Sequence, residues 1–440
     1  MWWYCCKAWR LRVKLAVVPS RGKSKVCVLA LAILVVLLAV SYGPGAEARS
    51  KSPARKAPVV RKKVPKAPAP AAPRNESISS ICIEAETGLV IAETDADRKR
   101  PPASMVKMIM MLLVAEGIHT GKWSLDTPIQ ISSRAQDMGG TQVFLKQGET
   151  FPLGQLVAAI AVHSANDASM AIAEGLWGSE AAYKEAANAR AAELGMANTV
   201  FRSVHGLPPD KGELPDETTA RDMARLGQYC VLDPLILEWT SRKELQFRPD
   251  SAIEYNTNKL LWPLDGSEQA GGIRCDGIKT GYTRGAGYCL TASAVKDGIR
   301  LVAVVMGADG LHDRFSLTRK LLEESFAKVT RKQVIKKGDP IGSPVRVANC
   351  ETPRLQLVAG DDFTVVVTKD NVEKLVVAPQ LPEWIQPPVE AGMPIGEATV
   401  LLGEKALARI PAVASQSLAE AGWRWKLIQS IAPSTEPNIQ

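Results

Sequence analysis

The chain has 440 residues, 46% of them hydrophobic and 23% charged, with a formal net charge of +8. Residues 1–75 hold sixteen basic side chains against the single acid Glu47, a net of +15, so residues 76–440 carry −7. Nucleic-acid binding by the folded part thereby loses its main support, because that surface is not basic.

Lys7, Arg10, Arg12, Lys14, Arg21, Lys23 and Lys25 precede an uncharged run at 26–40 and an Ala46-Glu47-Ala48 site. A basic start, a short apolar run and an Ala-x-Ala site read as a secretory signal over 1–48. The run is shorter than the ~20 apolar residues of a membrane span, so a retained N-terminal anchor is the weaker reading. Residues 49–75, rich in Pro, Ala, Lys and Arg, have no apolar periodicity and read as an extended linker. Cys82, Cys230, Cys275, Cys289 and Cys350 remain beyond the signal, an odd number with no CxxC pair. The four histidines form no HxxxH spacing. Neither metal nor cofactor is expected, and disulfide pairing is left open.

Strands are expected at 80–84 and 89–93 around a turn at Thr87-Gly88. From 104 to about 195 the pattern is mostly helical, with apolar spacing at 156–163 and 168–176 and an Ala-rich helix at 181–194. Another helix is expected at 218–232 with Thr219 or its neighbour as its cap. Strands at 287–294 and 300–307 flank a turn at Lys296-Asp297-Gly298, and a helix at 314–328 closes the unit. Strands at both ends of a helical middle predict an α/β or α+β fold over 76–330, built on one antiparallel sheet. Residues 331–412 read as a small all-β module, with strands at 345–348, 355–358, 363–368, 375–378, 399–402 and 406–410. In the tail, 413–440, Trp423, Trp425, Leu427, Ile428 and Ile431 interleave with Arg424 and Lys426. That composition suits an interfacial helix on a membrane surface, or one packed on the β module.

Three short motifs stand out. Ser104 and Lys107 lie three apart at the head of the apolar run 108–114, so on a helix they share a face. A hydroxyl beside a buried amine is one way to make a nucleophile without histidine. Ser164 and Asn166 follow in His163-Ser-Ala-Asn166, between two helical runs, and Lys279-Thr280-Gly281-Tyr282 heads the strand-rich section. Each alone is equally well an N-cap serine, a polar loop or a strand end. Together and in this order they form the Ser-x-x-Lys, Ser-x-Asn, Lys-Thr-Gly triple of β-lactamases and penicillin-binding proteins.

From about residue 78 to 431 the chain resembles the D-alanyl-D-alanine carboxypeptidases, low-molecular-mass penicillin-binding proteins of peptidase family S11. The likeness extends to Pro101-Pro-Ala-Ser104, Leu145-Lys-Gln-Gly148, His205-Gly-Leu-Pro208, Thr219-Ala-Arg-Asp-Met223 and Asn256-Thr-Asn258. The resemblance implies the penicillin-binding-protein/β-lactamase-like transpeptidase fold with a helical subdomain, and a small C-terminal all-β domain. It implies Ser104 as nucleophile, Lys107 as base, Ser164 as proton relay and Asn166 as binder of the peptide amide. Lys279 is expected to lower the pKa of Lys107, the backbone N–H groups of Ser104 and Tyr282 to form the oxyanion hole, and Thr280 and Arg314 to hold the substrate carboxylate. Implied partners are peptidoglycan stem peptides and, as covalent inhibitors, β-lactams. The implied location is the periplasm or the outer face of the bacterial cytoplasmic membrane. The rival readings are a D,D-endopeptidase of cross-links, a β-lactamase using Glu174 or Glu213, and a non-catalytic wall binder. Leu214-Pro-Asp-Glu-Thr218 stands where the family often has His-x-Ser, a departure that touches fine specificity.

Overall fold

The computed structural model describes residues 78–262 and 272–431. The expected signal (1–48) and linker (49–75) lie outside the described residues, as does the end of the tail, 432–440.

Five strands build one antiparallel sheet: β1 (Ser79–Glu84), β2 (Val90–Thr94), β3 (Arg274–Thr283), β4 (Gly287–Lys296) and β5 (Ile299–Ala308). Their order, β2-β1-β5-β4-β3, joins the first and last parts of the unit, with Ile81 opposite Val304 and Ala292 opposite Ala303. The β4–β5 turn is made by Asp297 and Gly298, whose φ angles of 50° and 73° match the twist of a tight hairpin. Each of β3, β4 and β5 has six consecutive buried residues, the pattern of strands covered on both faces.

Helices supply the two covers. Alternation along β1 and β5 sends Ile81, Ile83, Val302 and Val304 into one core cluster and Cys82, Leu301 and Ala303 into another. The first face meets α1 (Lys107–His119), whose Met108, Ile109, Met110 and Met111 are all fully buried. A helix apolar on every side has no solvent face to offer and belongs inside. Around it lie α2 (Leu153–Val162), α3 (Asn166–Trp177), α4 (Glu180–Glu193), α5 (Ala220–Leu232) and α6 (Pro234–Ser241). Thr219 caps α5 by accepting from Asp222 N at 3.1 Å. The second face is covered by α7 (Leu311–Lys328) through Leu322 and Phe326.

Sequence reading missed α6. Its signal was present, because Asp233 accepts from Leu235 N at 2.9 Å and Pro234 occupies the first helical position. The strand Val329–Ile335 was missed too; it is half polar and pairs with Phe363–Thr368. The remaining C-terminal strands form a six-stranded sheet around Leu355, Leu357, Val400, Ile410 and Ala412. The last helix, α8 (Trp423–Ile431), leaves Trp423, Leu427, Ile428 and Ile431 exposed, so they are not packed on the β strands.

Candidate active site

Ser104 sits in a 3-10 turn, Ala103–Val106, that runs straight into α1. The expected α-helical setting is thus a tighter one, in which residues i and i+3 eclipse and bring Lys107 directly over the serine. Lys107 Nζ donates to Ser104 Oγ at 3.0 Å, to Asn166 Oδ1 at 2.7 Å and to the His205 carbonyl at 3.1 Å. Ser104 Oγ in turn donates to the same carbonyl at 3.2 Å. Lys107 is fully buried, and all three of its partners are neutral oxygens. Burial first, and then the nearby Lys279 cation, hold its pKa well below the usual 10.5, against the opposing pull of Asp167 and Asp216. A neutral amine fits this nest once the Ser104 hydroxyl turns from the His205 carbonyl: its two N–H groups then serve Asn166 and His205, and its lone pair accepts the serine proton.

The loop at His205 is the part of the centre that sequence reading did not assign. Its signal was the His205-Gly-Leu-Pro208 run. Gly206 has φ of +77°, and a Cβ there would lie 2.1 Å from the Ala103 carbonyl, so only glycine lets this loop press against the serine turn. The loop is held from behind by buried Asp216, which accepts from Arg202 N, Ser203 N and Ser203 Oγ at 2.6, 3.0 and 2.7 Å. His205 Nδ1 accepts from Leu207 N at 3.0 Å, and burial followed by the charge of Lys107 pushes its pKa down to about 4, leaving it neutral.

Ser164 and Asn166 close the second side. Ser164 ends the α2–α3 junction with φ of 67°, a left-handed conformation that a non-glycine residue adopts only when surroundings enforce it. It is buried, and among the described residues its hydroxyl makes no direct hydrogen bond to Ser104, Lys107 or Lys279. Asn166, the first residue of α3, donates from Nδ2 to Gly139 O at 2.7 Å while its Oδ1 accepts from Lys107.

Strand β3 forms the third side. Gly281 lies against the serine turn: a Cβ there would be 2.6 Å from Pro102 O. Buried Lys279 donates to Thr280 O at 3.1 Å, and burial, then the Arg314 charge, bring its pKa down to about 7. Thr280 Oγ1 donates to Thr257 Oγ1 at 2.7 Å, which brings the Asn256-Thr-Asn258 turn to the strand. Tyr282 is half exposed and stacks on Tyr288 with ring centroids 4.2 Å apart. Arg314 reaches in from α7, where its Nη1 donates to Gly281 O at 3.2 Å and Cys289 O at 3.5 Å. It is buried without a carboxylate partner, and its Nε has no hydrogen bond among the described residues. Burial brings its pKa down to about 10. A buried guanidinium lacking a counterion is a seat for an incoming anion.

Cys82, Cys230, Cys289 and Cys350 are buried thiols, and the hydrogen bonds of Cys230, Cys289 and Cys350 go to backbone carbonyls away from this centre's serine and lysine. Sequence comparison accords with the geometry. Residues 66–310 match the family model described as D-alanyl-D-alanine carboxypeptidase, and residues 330–420 match that of the penicillin-binding protein 5 C-terminal domain. The D-alanyl-D-alanine carboxypeptidase DacF of Bacillus subtilis is 30% identical over 79% of this chain and 87% of its own. The crystal structure of penicillin-binding protein 5 from Haemophilus influenzae superposes with a TM-score of 0.62 at 26% identity, covering 80% of this chain and all of that one. Penicillin-binding protein D2 of Listeria monocytogenes, in its cefotaxime-bound form, is 31% identical over 56% of this chain and 96% of its own, with a TM-score of 0.50. The chain belongs to the D-alanyl-D-alanine carboxypeptidase family, peptidase family S11, and carries that family's C-terminal β domain.

Proposed function

We propose that this chain is a serine-type D-Ala-D-Ala carboxypeptidase that removes the terminal D-alanine from peptidoglycan stem pentapeptides. The observation that carries this reading is the buried Lys107 amine, 3.0 Å from Ser104 Oγ and bonded only to neutral oxygens. Neutral Lys107 takes the Ser104 proton as Oγ attacks the carbonyl between the two D-alanines. The N–H groups of Ser104 and Tyr282 receive the oxyanion, where preorganised donors are worth most. The C–N bond breaks, the leaving amine takes its proton by way of Ser164, and free D-alanine departs. Water then hydrolyses the Ser104 ester, with Lys107 again accepting a proton. Asn166 holds the substrate amide, while Thr280 and Arg314 bind the terminal carboxylate and so select a chain end.

A D,D-endopeptidase would use the same centre, and a cross-link whose leaving residue bears a free α-carboxylate would fill the same Arg314 seat, so the substrate test below separates the two. A β-lactamase needs a dedicated deacylating carboxylate. Glu174 is bonded to Ser132, and neither it nor Glu213 bonds to Ser104 among the described residues. Penicillin, which resembles the acyl-D-Ala-D-Ala unit, is expected to acylate Ser104. The domain division proposed is catalytic unit 76–330, β domain 331–412 and tail 413–440, with α8 lying on a membrane surface through its exposed Trp423, Leu427, Ile428 and Ile431 after export.

D-alanine release from diacetyl-L-Lys-D-Ala-D-Ala tests the reading. Release is expected from the wild type and lost in Ser104→Ala. Hydrolysis of a cross-linked dimer without release from this peptide would favour the endopeptidase instead.

A further inference from the structure

Residues 139–145 contain neither helix nor strand, yet they are fixed at almost every step. Gly139 O and Thr141 O accept from Asn166, at 2.7 Å each. Beyond them the fully buried Asp167 carboxylate accepts from Val143 N at 3.1 and 3.2 Å and from Leu145 N at 3.1 Å. From the other side Arg248 donates to Val143 O at 2.8 Å and Phe144 O at 3.2 Å, and it is itself paired with Glu149 at 2.7 Å. Val143 and Leu145 are buried, but Phe144 between them is 73% exposed and has φ of 56°.

A bulky residue in the left-handed region is an outlier that persists only where its surroundings over-determine it. Here a buried acid and a guanidinium do so, and neither bonds to Ser104 or Lys107 among the described residues. The product of this arrangement is an aromatic ring carried out to solvent on a firmly held backbone. It stands three residues past Thr141, so within about 11 Å of chain from the carbonyl that holds Asn166. A stem peptide with its scissile carbonyl at Ser104 places the residue before the D-alanine pair one extended step, about 3.5 Å, further out.

We infer that Phe144 is a specificity-determining residue whose ring receives the aliphatic side chain of the residue preceding D-Ala-D-Ala. The inference rests on the carboxypeptidase reading. The ligand chemistry is a straight methylene chain, such as that of a lysine-like diamino acid, laid on an aromatic face. Glycine at the same place has nothing to lay there.

Full-length Phe144→Ala and Phe144→Tyr are compared with wild type on diacetyl-L-Lys-D-Ala-D-Ala, on acetyl-Gly-D-Ala-D-Ala and on intact peptidoglycan, alongside thermal melting. Alanine keeps the Cβ, so the loop's conformational demand is unchanged. Phe144→Ala is expected to lower kcat/KM on the lysyl peptide about tenfold, mainly through KM, the loss typical of one apolar contact. The glycyl peptide and the melting midpoint stay unchanged, and Phe144→Tyr retains wild-type selectivity. Equal loss on both peptides would make the ring structural and overturn the inference, as would no loss on either. Loss confined to intact peptidoglycan would place the ring against glycan and overturn it also. A wild type that releases no D-alanine from either peptide would sink the activity and this inference together, a result distinct from a working enzyme indifferent to Phe144.

Discussion

Two lysines within one buried centre cannot both keep their protons at neutral pH without cost, and their environments separate them. Lys107 is buried among neutral partners and feels Lys279, and burial first, then that charge, holds its pKa well below 10.5. A base must be deprotonated to act, so kcat/KM rises with pH as Lys107 loses its proton. Removing the Lys279 charge relieves that repulsion, and Lys107 then holds its proton to higher pH. Lys279→Met is therefore expected to shift the ascending limb of the pH profile of kcat/KM upward, whatever it does to the maximum. An unmoved limb would mean that Lys279 does not tune the base. The motif residues were legible in the chain because Ser-x-x-Lys, Ser-x-Asn and Lys-Thr-Gly are short and local. The carbonyl of His205 was not, since a backbone acceptor leaves no trace in side-chain identity. Asp167 and Asp216 escaped for a related reason: they brace loops by accepting backbone N–H groups, a role any acidic residue in a loop has the chemistry to fill.

At the scale of elements, the catalytic turn depends on the helix that continues it. The first two turns of helix α1 are almost wholly buried, so the 3-10 turn carrying Ser104 is anchored to the centre of the core. Truncating Met110, which is fully buried, removes apolar contacts and leaves a cavity beneath that turn. Met110→Ala is expected to cost about 2–5 kcal/mol of stability, read from urea unfolding. A loss under 1 kcal/mol would mean the core closes over the gap. The elements with strong period, α2 to α5 and β4–β5, were predictable to within a few residues at each end, whereas α1 runs five residues past its apolar run 108–114 and the expected mostly helical texture fails over 120–152. Helix α6 was not, because Asp233-Pro234 serves as a turn or as a cap followed by a first-position proline. The strand Val329–Ile335 was hidden by its exposed middle, where Arg331, Lys332 and Gln333 face solvent.

Taken whole, the chain pairs an acidic folded part with a basic N-terminal stretch, 76–440 at −7 against 1–75 at +15. That asymmetry was readable from composition alone, and so was the change from helical to β texture after the catalytic unit. Whether the tail packs or projects was not, since an amphipathic sequence serves either end. Its four exposed apolar side chains give it a face suited to an interface. Deleting 423–440, which spares Leu418 and Ala421 in the β domain, is expected to abolish co-sedimentation with anionic vesicles while leaving D-alanine release within twofold of wild type. Retained co-sedimentation would move the attachment elsewhere.

The claim at the centre of this account is that Ser104, activated by Lys107, forms an acyl-enzyme. Intact-mass measurement after incubation with benzylpenicillin tests it most directly. One penicilloyl adduct is expected on the wild type, mapped by peptide digestion to the segment containing Ser104. The adduct is expected to be absent from Ser104→Ala and to form far more slowly in Lys107→Met. An adduct of undiminished rate in Ser104→Ala, or one mapped to Ser164, would contradict it.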